Sequence, residues 1–74
     1  MGFSAGTESH VEVAVFDLLG QRVQTLISDR RQAGTHQFRW DGRDQTGGHV
    51  ATGVYLYRLT TTDHILTRKM LLLR

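Results

Sequence analysis

The sequence predicts an all-β domain built as a small antiparallel sandwich, and three observations carry that reading. Apolar residues along the 74-residue chain recur with a period of two, which is the side-chain period of a half-buried strand. No amphipathic stretch reaches about ten residues at helical spacing, and the aliphatic run Leu71-Leu72-Leu73 is too short to be a helix. Turn-forming segments rich in Gly, Asp and Ser punctuate the chain at short, regular intervals, the rhythm of an antiparallel all-β fold.

The elements follow in order. Val11, Val13 and Val15 alternate with Glu12, Ala14 and Phe16 and define a half-buried strand. Asp17 to Gln21 is a turn in which Gly20 can supply a positive φ. Arg22 to Ile27 returns as the second arm of a hairpin. Its apolar residues Val23 and Leu26 stand three apart, so alternation breaks and a bulge or an early strand end is expected. Ser28 to Gly34 is polar and closes on glycine, which predicts a loop. Thr35 to Trp40 alternates again, with His36, Phe38 and Trp40 on one face. Asp41 to Gly48 (DGRDQTGG) is the densest turn signal in the chain.

Gly53 to Thr60 is a strand by composition, with Tyr55, Tyr57 and Leu59 on one face. Thr61 to His64 is a short connection to the last strand, Ile65 to Leu73. There Leu66, Met70 and Leu72 fit one side, which turns Arg68 inward unless its head snorkels out. These strands are few for a sandwich, so a first strand missing from the set is part of the expectation. The expected core is Val13, Val15, Phe38, Trp40, Tyr55, Tyr57 and Leu59, with Trp40 buried. No internal repeat, low-complexity segment or linker is visible.

Composition narrows the function classes. A chain of this size buries only about 60% of its unfolded surface, leaving no room for a deep cleft between lobes. Without cysteine it has neither disulfide staples nor thiolate metal ligands. No apolar stretch approaches the roughly 18 residues of a membrane-spanning helix, and Met1 to His10 lacks the pattern of a signal peptide. The net charge is +2, and Lys69 is the only lysine among nine cations. The arginines are spread along the chain instead of being gathered on one face, so nucleic acid is not an expected partner.

Candidate chemistry is sparse. Calcium takes six to eight oxygen ligands, whereas DGRDQTGG supplies two carboxylates, Asp41 and Asp44, and no closing glutamate. The segment reads as a turn whose aspartates cap backbone N–H groups, shaped by Gly42, Gly47 and Gly53. The histidines at 10, 36, 49 and 64 have no metal-ligand spacing. Ser4, Ser9 and Ser28 lack the strand–turn–helix setting of a nucleophile, and the glycine-containing GTHQ and TGGH segments lack a phosphate-loop pattern. Phe38, Trp40, Tyr55 and Tyr57 could stack on sugar rings from an exposed face, but their alternation fits core packing better. Tyr55 or Tyr57 could also pin a neighbouring turn through its hydroxyl, in the manner of a tyrosine corner. No enzymatic activity, cofactor or metal is expected.

The ordered string is more informative than any one residue. Val13, Val15-Phe16-Asp17-Leu18-Leu19-Gly20, Val23 and Leu26 are followed by Ala33-Gly34 and His36. Trp40-Asp41-Gly42-Arg43-Asp44, Gly47, Val50-Ala51, Gly53-Val54-Tyr55 and Tyr57-Arg58-Leu59 come next, and Thr67-Arg68-Lys69-Met70 with Leu72 completes the pattern. From about Val11 to Arg74 the chain closely resembles the type A C-terminal sorting domain of proteins exported by the bacterial type IX secretion system. It also resembles the related immunoglobulin-like domain of the flagellar hook-capping protein FlgD. A Lys-Met-aliphatic strand with a basic residue at its end favours the sorting branch. Sorting domains commonly open with a Pro-Asn-Pro-Phe segment, whereas this chain has no proline. Phe3-Ser4 then reads as the tail of that strand.

The resemblance implies an immunoglobulin-like sandwich over residues 10–74, with residues 1–9 as the start of the chain or the remnant of an upstream strand. It implies recognition without catalysis: a module that directs an N-terminally fused cargo, such as a secreted hydrolase or adhesin, through the periplasm. The cargo reaches the exterior or is attached to the outer cell surface. The expected partners are the type IX machinery and the outer-membrane surface. Lys69, Met70, Leu71, Leu72, Leu73 and Arg74 are the expected recognition segment, with a plain core strand as the alternative. A FlgD-like assembly module and an accessory carbohydrate-binding domain of a secreted glycosidase are the alternative functions.

Overall fold

The computed structural model describes residues 2–62 and 64–73. Met1, Asp63 and Arg74 lie outside the described residues. The order is β1 Gly2–Ala5, β2 Ser9–Phe16, β3 Arg22–Arg31, β4 Gly34–Gln37, β5 Gly53–Thr60 and β6 Ile65–Leu72. All pairings are antiparallel and form two sheets, a four-stranded one ordered β3-β2-β5-β6 and a two-stranded one of β1 and β4. Among the described residues no helix is long and apolar enough to cross a membrane. The chain is an all-β, immunoglobulin-like sandwich with one broad sheet and one narrow one.

Alternation sets the broad sheet. Val11, Val13 and Val15 of β2 are fully buried, because β2 is flanked by β3 and β5 and turns these side chains toward the narrow sheet. Phe3 from β1 and Phe38, just after β4, cluster with Val11 and Val13 from the opposite side. Ile27 and Leu59 complete the core cluster, and Ala5, Leu26 and Tyr57 pack against it. The rings interlock, with Phe3 and Phe38 centroids 6.4 Å apart and Phe38 edge-on to Tyr57 at 5.5 Å.

The broken alternation of β3 has the expected consequence. The β2–β3 ladder shifts register between Val13 and Ala14 and again between Val15 and Phe16, leaving Leu26 and Val23 of β3 as the extra residues.

Other segments depart from the sequence reading. Ser28 to Arg31 is strand and not loop, because Glu12, Val11, His10 and Ser9 pair with these residues in turn. Polarity misleads there, since β3 is an edge strand with much of its surface in water. The strand expected to run to Trp40 ends at Gln37, after which Phe38 turns into the core. Phe3 and Ser4, read as the tail of a strand, lie in β1, and Ser9 already belongs to β2. Trp40 is half-buried and not buried, because its indole N–H reaches out to donate to the Arg43 carbonyl at 2.9 Å. Tyr57 is likewise half-buried, whereas Val13, Val15, Phe38, Tyr55 and Leu59 are buried.

Candidate functional site

β6 ends the broad sheet. It pairs with β5 on one side only, so the other side carries unpaired backbone N–H and C=O groups. Its side chains are exposed except at Met70 and Leu72, which are half-buried. The register divides them between two faces. Leu66, Arg68, Met70 and Leu72 lie opposite Leu59, Tyr57, Tyr55 and Gly53 on the inner face. Ile65, Thr67, Lys69 and Leu71 lie opposite Thr60, Arg58, Leu56 and Val54 on the outer face. Arg68 therefore does share the inner face with the aliphatic residues.

Of the sequence-predicted recognition segment, Lys69 and Leu71 stand on the outer face and Leu73 follows the strand. Leu71 is 61% and Leu73 is 73% exposed, too much for an ordinary core strand. Met70 and Leu72 face inward, and Arg74 lies outside the described residues. The inward and outward members of this segment cannot form one continuous patch, because successive strand residues point to opposite faces.

The residues assigned to turns form a locally closed loop. Asp41 Oδ1 accepts from the Arg43 amide at 3.1 Å. Asp44 Oδ1 accepts from the Thr46 amide, the Thr46 hydroxyl and the Gly48 amide at 3.0, 2.7 and 3.0 Å. The Thr46 hydroxyl, followed by the Gly48 amide, holds the Asp44 carboxyl below the usual aspartate range. Gly42 and Gly47 adopt φ of 78° and 88°, which a side chain would strain. Gln24 of β3 ties the loop down by donating to the Asp44 carbonyl, and the Gln45 amide donates to the Val23 carbonyl. With Oδ1 committed to these three donors, Asp44 works as a structural brace. Among the described residues no group of three or more His, Cys, Asp or Glu side chains could hold a metal ion.

Tyr55 is the residue that pins a turn. Its buried ring is edge-on to Trp40 at 5.1 Å, and its hydroxyl donates to the Ala51 carbonyl at 2.6 Å. This fixes the entry of the chain from the DGRDQTGG loop into β5. On the outer face, Phe16 lies between two guanidinium groups, Arg58 at 4.9 Å and Arg22 at 5.3 Å from the ring centroid. Arg22 also pairs with Glu12 at 3.0 Å.

Sequence reasoning missed a groove between the two sheets. The narrow sheet is two strands wide and the broad one four, so the inner face of β6 is left partly uncovered. A cavity of about 640 Å³ opens there, between β1 and the Leu66 and Arg68 side of β6, with Phe38 and Tyr57 among its lining residues. Two signals were present in the sequence: Phe3 isolated in a polar start, and Arg68 set at an inward position.

A family model described as the FlgD Ig-like domain matches residues 3–64 of the chain. The match runs from β1 through β5, and β6 follows it. No curated protein and no solved structure matches the chain.

Proposed function

The chain belongs to the FlgD Ig-like domain family, and from that premise we propose that it is a non-catalytic recognition module read at β6. In this reading it labels an N-terminally fused cargo for the type IX secretion system and for the outer cell surface. The observation that carries the proposal is the exposure of β6. An edge strand presents its backbone to any partner that can extend the sheet, while its alternating side chains supply specificity. Here those side chains are Lys69 and Leu71 on one face and Met70 and Leu72 on the other. The ordered resemblance through Trp40-Asp41-Gly42-Arg43-Asp44 and Thr67-Arg68-Lys69-Met70 supports the sorting branch. The family match favours a second reading, a FlgD-like structural module that assembles with copies of itself or with neighbouring subunits.

Fusion to the C-terminus of a periplasmic reporter, in a host that carries the type IX system, separates the two readings. A sorting module sends the reporter to the surface or the medium, and deletion of residues 69–74 strands it in the periplasm. Equal export by the intact fusion and by a folded deletion variant overturns the assignment to β6. An intact fusion that is never exported favours the assembly reading.

A further inference from the structure

We propose that the groove between β1 and β6 is a strand-acceptor site for an extended apolar peptide segment that carries a carboxylate. The inference rests on reading the chain as a recognition module and adds the chemistry of what it recognises.

Three features converge on the groove. β1 pairs with β4 on one side only, and all of Gly2 to Ala5 line the cavity. A strand whose consecutive residues all line a groove turns its backbone edge toward it, because side chains alone would line it at alternate positions. That edge offers unpaired N–H and C=O groups to an added strand. A strand laid beside β1 widens the narrow sheet in the direction that covers the inner face of β6. The side chains it points down then meet Leu66 and Arg68. Leu66 is 41% exposed, and Arg68 has no ion-pair or hydrogen-bond partner among the described residues.

Charge selects the occupant. Leu66 and Arg68 are two residues apart on one face, about 6.6 Å along the strand. A matching segment therefore carries an apolar residue and a carboxylate two positions apart, with further apolar residues over Phe3 and Phe38. The carboxylate supplies the fork-shaped acceptor that a guanidinium prefers. A second copy paired through β6 is a poor alternative. A twofold axis across the sheet keeps each face on its own side, so the centred registers oppose Arg68 to Arg68 or Lys69 to Lys69. Like charges directly opposite destabilise a strand pair.

The test uses the purified 74-residue chain and fluorescent peptides of about eight residues, alternating threonine and valine. One inward valine is replaced by glutamate, glutamine or lysine, and a fourth peptide repeats the glutamate sequence with alternate backbone nitrogens methylated on the edge that would pair with β1. The glutamate peptide is expected to bind most tightly, roughly tenfold tighter than the lysine peptide. Arg68→Glu reverses that order and Arg68→Gln abolishes the difference. Since Arg68 is exposed, both variants keep the fold. N-methylation removes binding, and amide shifts in the complex fall on Gly2 to Ala5 and Leu66 to Met70. Equal affinity for the glutamate and lysine peptides overturns the proposal. So does indifference to N-methylation, a shift pattern confined to the outer face of β6, self-association of the chain through the groove, or no binding of any peptide. Failure of reporter export leaves each of these results standing, so the two proposals fall separately.

Discussion

Asp44 shows how single residues hold this small sandwich together. Its Oδ1 gathers three donors from Thr46 and Gly48, and these lower its pKa in the folded chain. A carboxyl with a depressed folded pKa contributes stability that is fully present above its unfolded value. That contribution is lost as pH falls through the lower folded value. The melting temperature of the chain is expected to drop on acidification from about pH 5 to pH 2, and Asp44→Asn should flatten that drop. An unchanged acid slope in the variant would place the acid sensitivity elsewhere. Tyr55→Phe removes the hydroxyl bond to Ala51 while keeping the ring against Trp40. A loss of about 1 kcal/mol in urea unfolding is expected. These residues were legible because their chemistry is local: aspartates and glycines in DGRDQTGG specify a turn whatever the rest of the chain does. Trp40 was not, because its half-burial depends on the Arg43 carbonyl and on Tyr55, which that turn brings to the end of β5.

At the scale of elements, β1 matters more than its four residues suggest. It carries Phe3 into the core cluster and forms one wall of the groove. Phe3→Ala should cost about 3 kcal/mol. A domain of this size without a disulfide or metal has roughly 3–5 kcal/mol in total. The variant is therefore expected to be close to half unfolded near physiological temperature, read by circular dichroism. A loss below about 1 kcal/mol would mean that Phe3 is not packed as described. The sequence marks β1 only through Phe3 and Ser4, read as the tail of a strand: GFSA has two apolar residues but little alternation, and pairing with Gly34 to Gln37 sets its bounds. The extension of β3 through Ser28 to Arg31 is non-local in the same way, since its partner strand, and not its own composition, defines it. By contrast β2 and β5 are central strands, so burial writes valine and tyrosine at alternate positions and the pattern can be read directly.

For the whole molecule, the mismatch between a four-stranded and a two-stranded sheet is the feature on which the proposed binding groove rests. It leaves a groove beneath the inner face of β6, whose free edge comes from its place at the end of the broad sheet. Within β6 only Arg68 at an inward position hinted at the groove, because exposure of that strand's inner face depends on how far β1 and β4 reach across the other sheet. The central claim is that β6 is the surface through which the module acts, and it can be separated from stability by two variants. Val13→Ala weakens the core by about 2 kcal/mol and leaves β6 untouched. Lys69→Ala combined with Leu71→Ser changes only exposed side chains of β6 and should alter stability by less than about 1 kcal/mol. The decisive measurement is the fraction of a fused reporter that reaches the surface or medium of a type IX host. The account predicts export by the Val13→Ala fusion and loss of export by the Lys69→Ala, Leu71→Ser fusion. Export that follows stability instead, lost with the core variant and kept with the β6 variant, would contradict it.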